Sequence, residues 1–347
     1  MEKHMERKVY FDFLRILATF SVIVLHVAAQ NWNTTNINSI EWNIFNFYDS
    51  IVRWGVPIFI MISGSIFINK EVSIKKIYKK YIFRIITAFI FWSTIYAILL
   101  SNNYSIKTII VNIIKGHYHM WFLFMIVGLY MITPLIKQIT MNQNLIKYFI
   151  ILAIIFSIII PQAISLISIK FLSLGNFVQS IINKVNLHMV LGYTLYYILG
   201  YYLDKININI KPFKCFIFFG ICGFVATIVF SIIITQYTQK ANDLFYGNFT
   251  LNVLLESISI FVLFKKYFTN TINIRVQNII RQISKYCFGI YLVHILIIIC
   301  LDKFFNLNTL SFNPIFSIPI ISIIVFIISL SISFVINHIP ILKKYVV

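Results

Sequence analysis

The chain has 347 residues, of which 60% are hydrophobic and only 11% charged, with a mean hydropathy of +0.88. That leaves too little polar surface to cover a water-soluble globule, so the composition excludes the soluble classes and describes a polytopic membrane protein. The net charge of +19 is no nucleic-acid signature, because the basic residues are scattered through short loops and form no basic domain or tail.

Apolar runs of about twenty residues recur. They predict spans at 12–29, 44–69, 81–100, 119–137, 146–168, 188–204, 214–235, 249–268, 286–302 and 314–337. The expected fold is therefore an all-α polytopic membrane protein of about ten transmembrane helices. No hydrophilic stretch is long enough for a second domain, so residues 1–347 are expected to form one multi-pass domain of the cell membrane. The positive residues sort by side: with the N terminus inside, about twenty of the Lys/Arg fall in cytoplasmic segments. The outer loops hold about six, Lys107, Lys115, Lys170, Lys184, Lys240 and Lys303. Both termini are thereby assigned to the cytoplasm. The first span ends in Val27-Ala28-Ala29, which resembles a signal-peptide cleavage site, but cleavage would leave an odd number of spans and contradict that sorting.

The first span carries the most informative pair. Arg15 and His26 are eleven residues apart, which at about 100° per residue places them on one helix face, roughly 16 Å apart along the axis. Asp12, Thr19 and Val22 continue that stripe. Ionisable groups inside a membrane usually face protein or a water-filled cavity, so the stripe is expected to line a polar tunnel; the alternative is a snorkelling Arg15 and a His26 bonded within the bundle. In the second span Arg53 is expected at a similar depth to His26, with Asp49 one turn earlier able to pair with it. Lys75, Lys76, Lys79 and Lys80 lead into the third span and Arg84 lies a turn inside it; Lys80 and Arg84, one turn apart, are placed to hold an anionic ligand, while a lipid-headgroup anchor accounts for Lys75 to Lys80.

The longer outer loops, near 30–43, 101–118, 169–187, 236–248 and 303–313, are rich in Asn, Ser, Thr, Tyr and Trp, which suit either an interfacial belt or sugar contacts. His119 and Trp121, at the expected outer start of the fourth span, carry the same two readings. Glu256 and His294 fall within spans, as part of a polar network or as buried residues satisfied by a neighbouring Tyr or Ser. Cys215, Cys222, Cys287 and Cys300 lie in predicted spans without metal-ligand spacing, so neither a disulfide framework nor a metal site is expected.

Several segments together resemble the acyltransferase-3 family of integral-membrane acyltransferases. They are Asp12-Phe-Leu-Arg15 with His26, Arg53-Trp-Gly-Val-Pro57 through Ser63-Gly64, His119-Met-Trp121-Phe-Leu followed by Gly128-Leu-Tyr130 and Thr133-Pro134, Gly200-Tyr-Tyr-Leu, and Ser284 through Phe288-Gly289-Ile-Tyr291 to His294. The likeness covers nearly the whole chain and is nearest to stand-alone members that O-acetylate cell-envelope polysaccharide or its lipid-linked precursors. One position departs: the family often has Arg-x-x-Arg at the start of the third span, and here Tyr81 stands three residues before Arg84, with Lys80 beside it. A lysine brings charge but not the planar fork of a guanidinium.

The resemblance implies transfer of an acyl group from cytoplasmic acyl-CoA, with acetyl-CoA as a donor substrate and no permanently bound cofactor. The implied acceptor is a hydroxyl of a surface glycan or an undecaprenyl-linked sugar. Acyl transfer to an alcohol needs a base, an oxyanion donor and a grip on a polyanion. His26 fits the base, since an imidazole titrates near pH 6.5 in its ordinary state. Arg15 and Arg84, with Lys80, fit the CoA phosphates. Asp12 orients Arg15 or caps the helix start. Arg53, His119 and Trp121 are assigned to the acceptor or the oxyanion, and Glu256 and His294 to a supporting network. The rival reading is a polysaccharide or lipid-linked-sugar exporter with no acyl-CoA chemistry. A scaffold without chemistry is disfavoured by the Arg15/His26 register.

Overall fold

The computed structural model describes residues 7–101, 105–171, 187–268 and 272–346, with the backbone alone for 187–190. Lys3, Lys184 and most of the loop expected at 169–187 lie outside the described residues. All the regular elements described are helical. They are α1 Val9–Ala28, α2 Ile40–Ser50, α3 Gly55–Asn69, α4 Ile74–Leu100, α5 Ile106–Lys115, α6 Trp121–Thr140, α7 Gln143–Lys170 and α8 Leu187–Lys205. The chain continues through α9 Ile210–Thr238, α10 Leu251–Tyr267, α11 Ile274–Phe305, α12 Pro314–His338 and the short α13 Pro340–Tyr345. Helix starts follow from local chemistry: Ser39 Oγ accepts from the Trp42 N–H at 3.1 Å, and Asn313 Oδ1 from Ile315 N–H at 3.0 Å just ahead of Pro314.

Nine stretches of the described residues are long and apolar enough to cross a bilayer. The tenth crossing, α8, is diluted by five tyrosines and two glycines. It tolerates them because protein covers it: Tyr196 and Tyr197 are fully buried, the first donating to the Asn248 carbonyl at 2.6 Å and the second bonded to Thr133 Oγ1 at 2.9 Å. Ten crossings put both chain ends on one face. Consistent with this, Lys8 at the start of α1 pairs with Asp204 at the end of α8 at 2.5 Å, and Lys265 at the end of α10 donates to the carbonyls of Leu203, Asp204 and Ile206. That face is the one on which the expected positive excess falls.

Helices α3 and α8 cross with their backbones in contact. A Cβ on Gly64 would stand 1.8 Å from the Tyr197 carbonyl oxygen, and one on Gly200 would stand 2.2 Å from that of Met61. Each helix thus sets a glycine against the other's main chain, the close approach that membrane helices use where lipid supplies no hydrophobic drive.

The segment expected as an outer loop at 101–118 is different. Residues 106–115 form α5, which folds back along α4: Ser93 Oγ donates to the Ile113 carbonyl at 2.5 Å, and Asn112 Nδ2 to Ser101 Oγ at 2.9 Å. Ile106, Ile110, Val111 and Ile114 cover its exposed face. Gly116 then turns the chain with φ +70° against the Phe89 ring, and a single 3-10 turn, Tyr118–Met120, leads into α6. His119 is consequently 2% exposed, within the bundle and away from its rim.

Gly64→Ala should therefore cost more than about 3 kcal/mol and yield little monodisperse protein in detergent, because main chain cannot give way to a Cβ. Gly128→Ala, where nothing lies within 4 Å of the added carbon, should instead be neutral or raise the melting temperature slightly.

Candidate active site

Helices α1 and α11 run parallel and pack together, so α1's spacing is copied across the interface. Arg15 Nη1 donates to Ser284 Oγ at 2.9 Å, and eleven residues on, the His26 ring lies 5.3 Å from that of His294, ten residues beyond Ser284. The predicted stripe is thus held at both ends by one partner helix.

At the cytoplasmic end the stripe is fixed by Asp12, whose side chain is 2% exposed. Its carboxylate takes a two-pronged grip from Arg7, Nε at 2.8 Å and Nη2 at 2.7 Å, together with Ser284 Oγ at 2.7 Å and Arg15 Nη1 at 3.3 Å. Both readings of Asp12 give way to a fuller one: it orients two guanidinium groups and fastens α1 to α11.

These guanidiniums open on a cavity of about 1130 Å³. Arg7, Arg15, Lys70, Arg84, Lys285 and Lys343 line it, and among the described residues no carboxylate does. Such a wall suits a ligand with several negative charges. Lys80 is exposed and does not line it. The second cation beside Arg84 comes from another helix: Lys70, at the end of α3, donates to the Tyr81 hydroxyl at 2.7 Å. Tyr81, where the family pattern has arginine, thus tethers an ammonium group. The segment after α12 forms a further wall with Asn337, His338, Pro340 and Lys343, and is pinned to α4 by the bond from Trp92 Nε1 to the Val346 carbonyl at 3.3 Å.

The inner end of the cavity is apolar, with Phe59, Phe122, Ile126 and Tyr291. Tyr291 joins it to a histidine cluster. Its hydroxyl donates to the His119 carbonyl, and its ring centroid is 5.6 Å from the His119 ring and 5.9 Å from that of His294. His119 and His294 are 5.4 Å apart, His117 Nδ1 meets His119 Nδ1 at 3.0 Å, and the Tyr118 ring stands 5.6 Å from His26. The geometry brings His26, His119 and His294 together. His117 joins them; near a span end in the sequence it was given no role, and the turn at Gly116 after α5 brings it there.

The other expected residues sit apart. Arg53 pairs with Asp49, as its spacing allows, and stacks its guanidinium 3.8 Å over the Tyr246 ring. Glu256 faces α9, where Thr227 Oγ1 donates to its Oε1 at 2.5 Å, and belongs to a network with Asn252 and Thr227 and not to the cavity wall. Trp121, 40% exposed, packs 5.6 Å from Tyr193. Among the described residues no group of three or more His, Cys, Asp or Glu has metal-holding geometry.

If the cavity binds a polyanion, Lys343→Ala should weaken CoA binding about two- to fivefold at low salt, and the difference should shrink in high salt. Isothermal titration at two ionic strengths measures both.

Comparison with protein families agrees with this geometry. A model described as an acyltransferase domain matches residues 8–338. No curated protein and no solved structure matches the chain. With that match spanning nearly every described helix, the chain belongs to the acyltransferase-3 family of membrane acyltransferases.

Proposed function

We propose that the protein is an O-acyltransferase that takes an acyl group, acetyl in the simplest case, from acyl-CoA at the cytoplasmic face. The acceptor is a hydroxyl of a surface glycan or of its lipid-linked precursor at the outer side of the cell membrane. The observation that carries this reading is the continuity of two unlike sites: a cation-lined cavity at the basic face narrows to an apolar end that abuts the histidine cluster through Tyr291. An exporter needs a path for a glycan but no such anion site at the cytoplasmic face.

In this reading Arg15 and Arg84 grip CoA phosphates, with Arg7, Lys70 and Lys343 adding charge. The flexible thioester arm runs past Phe59 and Phe122. His26 takes the proton of the acceptor hydroxyl as its oxygen attacks the thioester carbonyl, and returns it to the departing sulfur. Arg53 is assigned to steady developing negative charge, while its pairing with Asp49 holds it in place.

His26→Ala should lower acyl transfer about 10²- to 10⁴-fold while CoA binding persists. Arg15→Ala and Arg84→Ala should instead weaken CoA binding about tenfold or more, with lysine restoring only part. The decisive measurement is turnover and thermal stabilisation of purified protein by acetyl-CoA, alongside NMR of envelope-glycan acetyl groups in cells carrying each variant. Unchanged glycan acetylation in a gene deletion, with no stabilisation by CoA, would turn the assignment towards export.

A further inference from the structure

His294 is fully buried, and its two ring nitrogens differ. Nδ1 lies 2.7 Å from the Tyr291 carbonyl oxygen. A carbonyl only accepts, so Nδ1 carries the hydrogen and, in the neutral ring, Nε2 is a bare lone pair. That Nε2 is buried and has no partner among the described residues. Buried acceptors are seldom left so, which makes this atom a receptor for a donor that arrives or turns towards it.

Two donors are near. His119, whose ring is 5.4 Å from that of His294, meets His117 through Nδ1, and its Nε2 is likewise buried without a partner among the described residues, so it is the rival donor that a coupling measured to His26 excludes. His26 makes ring contacts with Tyr118 and His294 and is itself partly exposed. With centroids 5.3 Å apart and planes inclined by 42°, the two imidazoles reach a hydrogen bond of about 2.9 Å once turned nitrogen to nitrogen.

We propose that His294 is the positioning residue of the base: its bare Nε2 accepts one N–H of His26 and thereby leaves the other His26 nitrogen unprotonated and aimed at the acceptor. This rests on the assignment of His26 as base. The acceptor hydroxyl gives its proton to that bare nitrogen while its oxygen bonds to the thioester carbonyl carbon. When the carbon–sulfur bond breaks, the same proton moves to sulfur, so an ester and a thiol form and His26 ends neutral. Throughout, the opposite N–H stays on His294, whose own tautomer is locked by the backbone of its helix. The arrangement does with a second histidine what a carboxylate does in a hydrolase triad, fixing tautomer and orientation without entering the reaction.

The test is steady-state kinetics of acetyl-CoA turnover in reconstituted full-length protein. His294→Ala should lower kcat about 10- to 100-fold with KM for acetyl-CoA unchanged. His294→Gln, whose side-chain oxygen can accept from His26, should recover a large share of the loss. Full kcat in His294→Ala, or a Gln variant as slow as Ala, overturns the proposal. Nitrogen-15 histidine spectra of the wild type decide the matter even if both variants misfold: Nδ1–H at His294 with a coupling from its Nε2 to a His26 nitrogen is expected. An Nε2–H tautomer or no coupling overturns it. Wild-type protein that leaves acetyl-CoA intact removes the acyltransfer reading itself, whereas active wild type with an unimpaired Ala variant removes only the pairing.

Discussion

A carboxylate buried at the cytoplasmic end of two parallel helices sets the geometry on which the site depends. Two guanidiniums and a hydroxyl surround Asp12, and removing any one leaves the buried carboxylate short of a partner, at a cost of several kcal/mol. The arrangement also prevents slippage. Ser284 of α11 bonds both Asp12 and Arg15, so α1 cannot slide by a turn without breaking two bonds at once. With the lower end pinned, the equal rise of both helices carries His26 up to His294.

The remaining helices build the walls around that pair under the same constraint, that polar groups inside a bilayer be satisfied by protein. The α3–α8 crossing brings two backbones together at glycines and surrounds the tyrosine-rich α8 with partners for its hydroxyls. It also positions the end of α3, from which Lys70 reaches Tyr81. On the other side, α5 turns inward and carries His117 and His119 to the level of α11. The outcome is a protein polar along one internal line and apolar on most of its outer surface.

That line has two chemically distinct ends. At the basic face, flexible lysines and oriented arginines surround a roomy cavity, suited to a large and strongly charged ligand. Deeper in, Phe59, Phe122 and Tyr291 form an apolar layer, and beyond it the rings of His26, His119 and His294 cluster.

Helix number and the Arg15/His26 face were legible from the sequence because each follows from local quantities: apolar run length and a covalent period of 3.6 residues per turn. The Asp49–Arg53 pair was legible for the same reason, being one turn apart on adjoining segments. Arg7, Lys70 and Lys343 were hidden, since a lysine or arginine beside a membrane has the same sequence context whether it faces lipid headgroups or a cavity. His117 and the depth of His119 were hidden too, although Ser105 as a cap, an amphipathic run at 106–114 and Gly116 as a stop were available as a sign of a short helix. Which way that helix points is decided only by its packing on α4. The sequence alone thus determined which groups must leave the lipid and on which helix face they lie; the tertiary structure decided which of them meet, because only the packing of α1 on α11, with the turn Tyr118–Met120 beside them, brings separate histidines into one cluster.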